Sequence, residues 1–173
     1  ELWQTDATNI FIVGWGYYKL IPVEDDYSRK IIGYDVRPDE TAFSFTDVVE
    51  IAIENAKREG HLIDKDNMPH LYTDNGPGFT SGIMDEYLSA HGIKHILGTP
   101  YHPQGRGKIE RFNRRIKDKL CLVVYCSPEE LKRAVDEAIP IYNATPHESL
   151  HNVAPNDVYA GRKEEILQRR KEK

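Results

Sequence analysis

Three carboxylates in this 173-residue sequence stand where the chain turns or a new element begins. Asp6 lies in a run of strand-forming residues, Asp74 heads the turn Asp74-Asn75-Gly76-Pro77-Gly78, and Glu110 opens a basic helical stretch. Carboxylates brought together repel, which disfavours their joint ionisation. A divalent cation reverses that penalty by supplying the missing charge. Ligation by oxygen alone selects Mg²⁺ or Mn²⁺ over zinc or copper. Two such ions, about 3.5–4 Å apart, flank a scissile phosphate, activating the attacking oxygen and stabilising the leaving one. Each residue also has a plainer reading. Asp74 before Asn-Gly is a turn former, Glu110 fits a ladder of helical ion pairs, and most of the 28 acidic residues are expected to be surface charges.

The stretch 99–119 separates these readings. It begins as a loop broken by Pro100, Pro103, Gly105 and Gly107, the kind of segment expected to be mobile without a ligand, and continues as a helix. Arg106, Lys108, Arg111, Arg114, Arg115, Lys117 and Lys119 oppose only Glu110 and Asp118, a local excess of five positive charges in a chain whose net charge is −5. Ile109, Phe112, Ile116 and Leu120 recur at steps of three and four and form a core face. Glu110, Arg114 and Lys117 share a different face, placing one carboxylate and two cations in line. That arrangement suits a metal-assisted reaction on a phosphate backbone.

The flanking elements must position these groups. Leu2 to Val13 reads as one strand containing Asp6, Tyr17 to Val23 as its return, and Lys30 to Val36 as a third, an antiparallel meander. From Thr41 to Glu59 the apolar period becomes helical, and Gly60 closes the stripe. His70 to Thr73 is a short strand, Ser81 to Ala90 a helix, and Ile93 to Leu97 a fifth strand. Ser127-Pro128-Glu129-Glu130 caps a further helix, and Ala154-Pro155 begins a last helical turn. The plan is α/β: a five-stranded mixed sheet with helices on both faces. Residues 1–160 form one domain, and 161–173 a charged, solvated or frayed tail. In such a sheet the first and fourth strands are able to be neighbours, setting Asp6 beside Asp74.

Composition narrows the function. Hydrophobic content of 39% and charged content of 29% suit a globular domain. No apolar run approaches the roughly 20 residues needed to cross a bilayer, and no signal peptide is visible. Cys121 and Cys126 form no CxxC and read as unpaired thiols in a reducing cytosol; the seven histidines show no HExxH pattern. The acidic balance argues against a general nucleic-acid coat but not against a local basic groove. Glu1 leads straight into a strand, which suggests a fragment of a longer protein.

Tyr72-Thr-Asp-Asn-Gly-Pro-Gly-Phe-Thr-Ser81 resembles the second catalytic segment of the retroviral integrase and insertion-sequence transposase superfamily. Pro100 to Asn113 (PYHPQGRGKIERFN) resembles its third. The 35 residues from 75 to 109 match that family's D,D-35-E spacing. Trp3-Gln-Thr-Asp6 fits the first segment, and Asp25-Asp-Tyr-Ser-Arg29 followed by Ile32-Gly33 fits the turn after the second strand. Tyr142-Asn143, Pro146-His147, Leu150 and Pro155 resemble the tail of bacterial transposase cores. The resemblance implies a ribonuclease H-like fold and a polynucleotidyl transferase that cuts and joins DNA at transposon ends and target, with no protein nucleophile needed. It assigns Asp6, Asp74 and Glu110 as catalytic, metal-binding residues with two Mg²⁺ or Mn²⁺ ions. Tyr101, Gln104 and Arg106 would contact the DNA end, Arg114 and Lys117 phosphate, and Asn75 and Asn113 would support the site. The charge count adds Lys108 to the DNA contacts. Arg106 stands where retroviral relatives carry glutamine, which points away from a viral protein and adds a cation near the scissile strand. Separately, the expected setting is the bacterial cytoplasm, acting on nucleoid DNA, with a homo-oligomer as the active complex. The alternatives are a ribonuclease H-like nuclease without a joining step and a domesticated, non-catalytic DNA-binding core.

Overall fold

A computed structural model describes residues 1–61, 67–98 and 107–172 of the chain. The first strand expected from the sequence is two: β1 (Leu2–Thr5) and β2 (Thr8–Ile12). Both pair antiparallel with β3 (Gly16–Asp25), and their register is unbroken, since Thr5 faces Val23 and Thr8 faces Leu20. The interruption at Asp6-Ala7 falls opposite Pro22, which has no N–H to give to a ladder. The sheet therefore has six strands rather than five, and Asp6 stands in a gap between two of them.

β4 (Ile31–Arg37) completes the meander against β3. After helix α1 (Ala42–Arg58), β5 (His70–Thr73) returns to lie parallel to β1, with Trp3 opposite Leu71 and Gln4 opposite Tyr72. Helix α2 (Gly82–Ala90) leads to β6 (His95–Leu97), parallel to β5 and two residues shorter than the expected strand from Ile93. The order across the sheet is β2-β3-β1-β5-β6, with β4 on β3. The mixed α/β plan and its flanking helices stand.

Two cores cover the two faces. Trp3, Ile21, Val23 and Ile32 pack with α1 and with Met84 and Leu88 of α2. Ile10, Ile12, Leu20 and Ile31 pack beneath helices α3 (Gly107–Leu120) and α4 (Pro128–Ala144). Adjacent strand residues thus serve opposite cores, as the two-residue period of a strand requires. Gly33 lets α1 approach: a Cβ there would fall 2.7 Å from both Cβ and N of Ala52. On the other face, Asn143 of α4 acts as a strand partner for β4, accepting from Ile31 N–H and donating to Ile31 O, each at 2.9 Å.

A 3₁₀ turn (Glu148–Leu150) and the short helix α5 (Pro155–Tyr159) follow. Residues 163–171, expected within a solvated or frayed tail, form helix α6 (Lys163–Lys171). Glu164 and Glu165 open it and Arg169 to Lys171 close it, which suits the helix dipole. Ile166 and Leu167 pack on Leu150, Val153 and Val158, and Arg170 donates to the carbonyls of His151 and Asn152. Among the described residues no helix is long and apolar enough to cross a membrane.

Candidate active site

The parallel pairing of β1 with β5 brings the ends of these strands side by side, and each ends at an aspartate. Asp6 and Asp74 line one open pocket of about 370 Å³ with Gly76, Pro77 and Gly78. Asp6 Oδ1 accepts the Ala7 N–H at 2.9 Å, inside the strand gap. Asp74 Oδ1 accepts the Gly76 N–H at 2.8 Å, an Asx turn that directs the chain away from the sheet. The turn is clamped from outside: a Cβ on Gly78 would lie 2.4 Å from the Glu40 carbonyl oxygen, and Phe79 packs on Phe45 with centroids 3.9 Å apart.

The polar neighbours are placed as follows. Asn75 Nδ2 donates to Gly98 O at 2.7 Å, tying the turn after β5 to the end of β6. Asn113 is buried on α3 and donates from Nδ2 to Asp6 Oδ2 at 3.3 Å. That bond docks α3 onto the first aspartate. Glu110 lies one turn earlier on an exposed position, and Arg114 and Lys117 are exposed along the same face. Among the described residues, no group of three His, Cys, Asp or Glu side chains gathers closely enough to hold an ion. The structure thus brings Asp6 and Asp74 into one pocket, with Glu110 on the helix docked beside it. The donors that line this pocket are carboxylate oxygens, and they fit a hard dication of the Mg²⁺ type.

Lys108 does not join Arg114 and Lys117. Its Nζ pairs with Asp26 Oδ2 at 2.5 Å and with Asp26 O at 3.2 Å. Asp26, which the sequence reading did not single out, also accepts from Gln4 Nε2 at 2.6 Å, so it joins β1 to the first turn of α3. Its neighbour Asp25 closes the turn by accepting the Ser28 N–H at 2.8 Å and hydroxyl at 2.6 Å, with Arg29 left-handed at φ 64°. The DDYSR run was the available signal: two aspartates and a serine at turn spacing. Tyr101, Gln104, Arg106 and most of the 99–107 loop lie outside the described residues.

Comparison with known proteins agrees with this geometry. Residues 1–103 match the integrase core domain, and residues 91–155 match a second profile of the same description. The chain is 30% identical over 120 residues to the Gag-Pro-Pol polyprotein of squirrel monkey retrovirus, which covers 69% of this chain but 6% of that polyprotein. The BIV integrase catalytic core domain superposes with a TM-score of 0.68 at 24% identity, covering 96% of this chain and 97% of that one. The HTLV-2 integrase catalytic core domain, solved in complex with magnesium in a trimeric form, gives 0.66 at 22% identity over 92% and 95% of the two chains. With its mixed sheet flanked by helices in the ribonuclease H-like manner, the chain belongs to the integrase core domain family.

Proposed function

We propose that this chain is the catalytic core of a polynucleotidyl transferase that cuts DNA and joins a 3′-hydroxyl to a target strand. The observation that carries this reading is the shared pocket of Asp6 and Asp74, with α3 docked on Asp6 through Asn113. Asp6, Asp74 and Glu110 would hold divalent metal, Mg²⁺ or Mn²⁺, as two ions. When bound, the metal supplies charge to activate the attacking oxygen and to stabilise the leaving one.

The residues around it do the positioning. Ala7 N–H and Asn113 orient the Asp6 carboxylate, and the Gly76 N–H orients that of Asp74. Arg114 and Lys117, on the face of Glu110, hold the phosphate backbone in line for attack by water or by a DNA hydroxyl. No protein nucleophile takes part, so no covalent enzyme intermediate forms. The partners are a donor DNA end and a target strand, and the working form is a homo-oligomer; the solved relatives include an integrase in a trimeric form and an intasome.

A labelled-DNA assay with Mg²⁺ tests this reading. Cleaved ends together with joined products are expected; cleavage without joining would reduce the protein to a nuclease, and neither would refute the proposal. Lys117 provides a second check. The slope of log affinity against log salt scales as about 0.9 per phosphate neutralised. Lys117→Glu is therefore expected to flatten that slope by about one and to weaken all duplexes alike, because a phosphate contact carries no base information. A loss confined to one DNA sequence would show that Lys117 reads bases.

A further inference from the structure

Most charged residues of α3 fall on two stripes. Glu110, Arg114 and Lys117 share one, whereas Lys108, Arg111 and Arg115 lie roughly 120° around the helix, at about 100° per residue. This second stripe faces a pocket of about 60 Å³ that also has Arg29, Tyr142 of α4, His147 and Ser149 in its walls. At its floor is Glu24. Along β3, Leu20, Pro22 and Glu24 point toward α3 and α4, so a carboxyl occupies a position that the strand pattern reserves for core. Glu24 is wholly buried, and neither of its carboxyl oxygens has a hydrogen-bond partner.

A second polar group is left over in the same wall. Arg115 donates to His147 Nδ1 at 2.9 Å, which makes Nδ1 the acceptor and puts the ring proton on Nε2. That Nε2 is buried and has no partner. Burial, and then the Arg115 charge, hold the imidazole below its ordinary pKa, so it stays neutral. Buried donors and acceptors are costly to leave unpaired. Lys108 is matched by Asp26, but neither Arg111 nor Arg115 makes an ion pair among the described residues. Burial also pushes Glu24 up to about 8, so at neutral pH it is an acid with a proton to donate.

We propose that this pocket binds a phosphate group, held by Arg111, Arg115, the Nε2–H of His147 and the carboxyl of Glu24. Guanidinium groups meet tetrahedral oxyanions through paired hydrogen bonds, and among the described residues neither arginine is committed to an ion pair, although the exposed Glu148 lies with them along the outer groove. The pocket continues outward into a groove of about 590 Å³ that shares Arg111, Arg115, His147 and Ser149. The phosphate can therefore belong to a larger molecule whose remainder lies in that groove. The site is separate from the aspartate pocket and requires no metal.

The test uses the whole chain and inorganic phosphate at constant ionic strength, following the imidazole nitrogens of His147 and the guanidinium of Arg115 by NMR. A saturable shift is expected. Arg115→Ala should weaken it at least about tenfold through loss of a charge-assisted hydrogen bond. Ser149→Asp, at an exposed position on the rim, should do the same by repulsion without touching the core. A short single-stranded oligonucleotide then identifies the source. If it competes for the same signals, the phosphate is that of a nucleic-acid strand; if it does not, the ligand is a free phosphate or small phosphorylated molecule. No saturable shift with either probe, or a shift that survives both substitutions, overturns the proposal.

Discussion

Asp6→Asn, Asp74→Asn and Glu110→Gln are each expected to lower Mg²⁺-dependent cleavage and joining by at least about 10³-fold. Metal-assisted charge stabilisation is worth several kcal/mol of the barrier, and each 1.36 kcal/mol is about tenfold in rate. An amide is a poor ligand for a hard dication, so that contribution goes while the shape of the side chain stays. Stability should hold or rise. An asparagine at 74 still accepts the Gly76 N–H, and one at 6 still accepts the Ala7 N–H. At position 6 the new amide would face the Asn113 Nδ2 donor, but Asn113 Oδ1 has no partner, and a flip of that amide restores the bond. The measurement is single-turnover joining of labelled ends beside a melting curve. Any one variant that keeps near-normal activity removes that residue from the metal site.

The local periods carried most of the fold. The stripe of Ala42, Phe45, Val49, Ala52, Ile53 and Ala56 and that of Ile109, Phe112, Ile116 and Leu120 are buried as their spacing demands. The proximity of Asp6 and Asp74 was also legible, because the turn after His70 to Thr73 and the end of the first strand need only parallel pairing to meet. What stayed hidden depends on partners distant in sequence. The break at Asp6 reflects Pro22 across the ladder, and nothing in the run from Thr5 to Thr8 announces it. Lys108 looked like one more cation for DNA because Asp26, its partner, is 82 residues away. The tail gave no amphipathic pattern, yet Ile166 and Leu167 find an apolar cluster built by the preceding segment. Glu24 was the most concealed. Beside Asp25 and Asp26 it reads as the start of a polar turn, whereas its position along β3 sends it under two helices.

That concealed carboxyl makes stability depend on pH in the direction opposite to an ion-paired acid. In the unfolded chain Glu24 ionises near 4.5, whereas in the fold burial pushes it up to about 8. Arg29 and Lys108 pull it down, Asp26 and Asp25 push it up, and burial prevails. Arg111 and Arg115 on α3, Tyr142 on α4 and His147 complete the pocket. Between pH 4.5 and 8 the unfolded chain has released a proton that the folded chain keeps, so raising the pH favours unfolding. The stability from the neutral acid is whole below pH 4.5 and is lost by about pH 8, an amount on the order of 5 kcal/mol. His147 has the opposite sign: its depressed pKa costs stability as pH falls through its unfolded value near 6.5. Comparison with Glu24→Gln cancels that contribution, since His147 is common to both proteins. In phosphate-free buffer, denaturant midpoints at pH 5 should be close for the two, and at pH 8 the variant should be the more stable. If the difference between the proteins is flat from pH 5 to 8, Glu24 does not ionise in this window, and the carboxyl is held charged by the arginines around it.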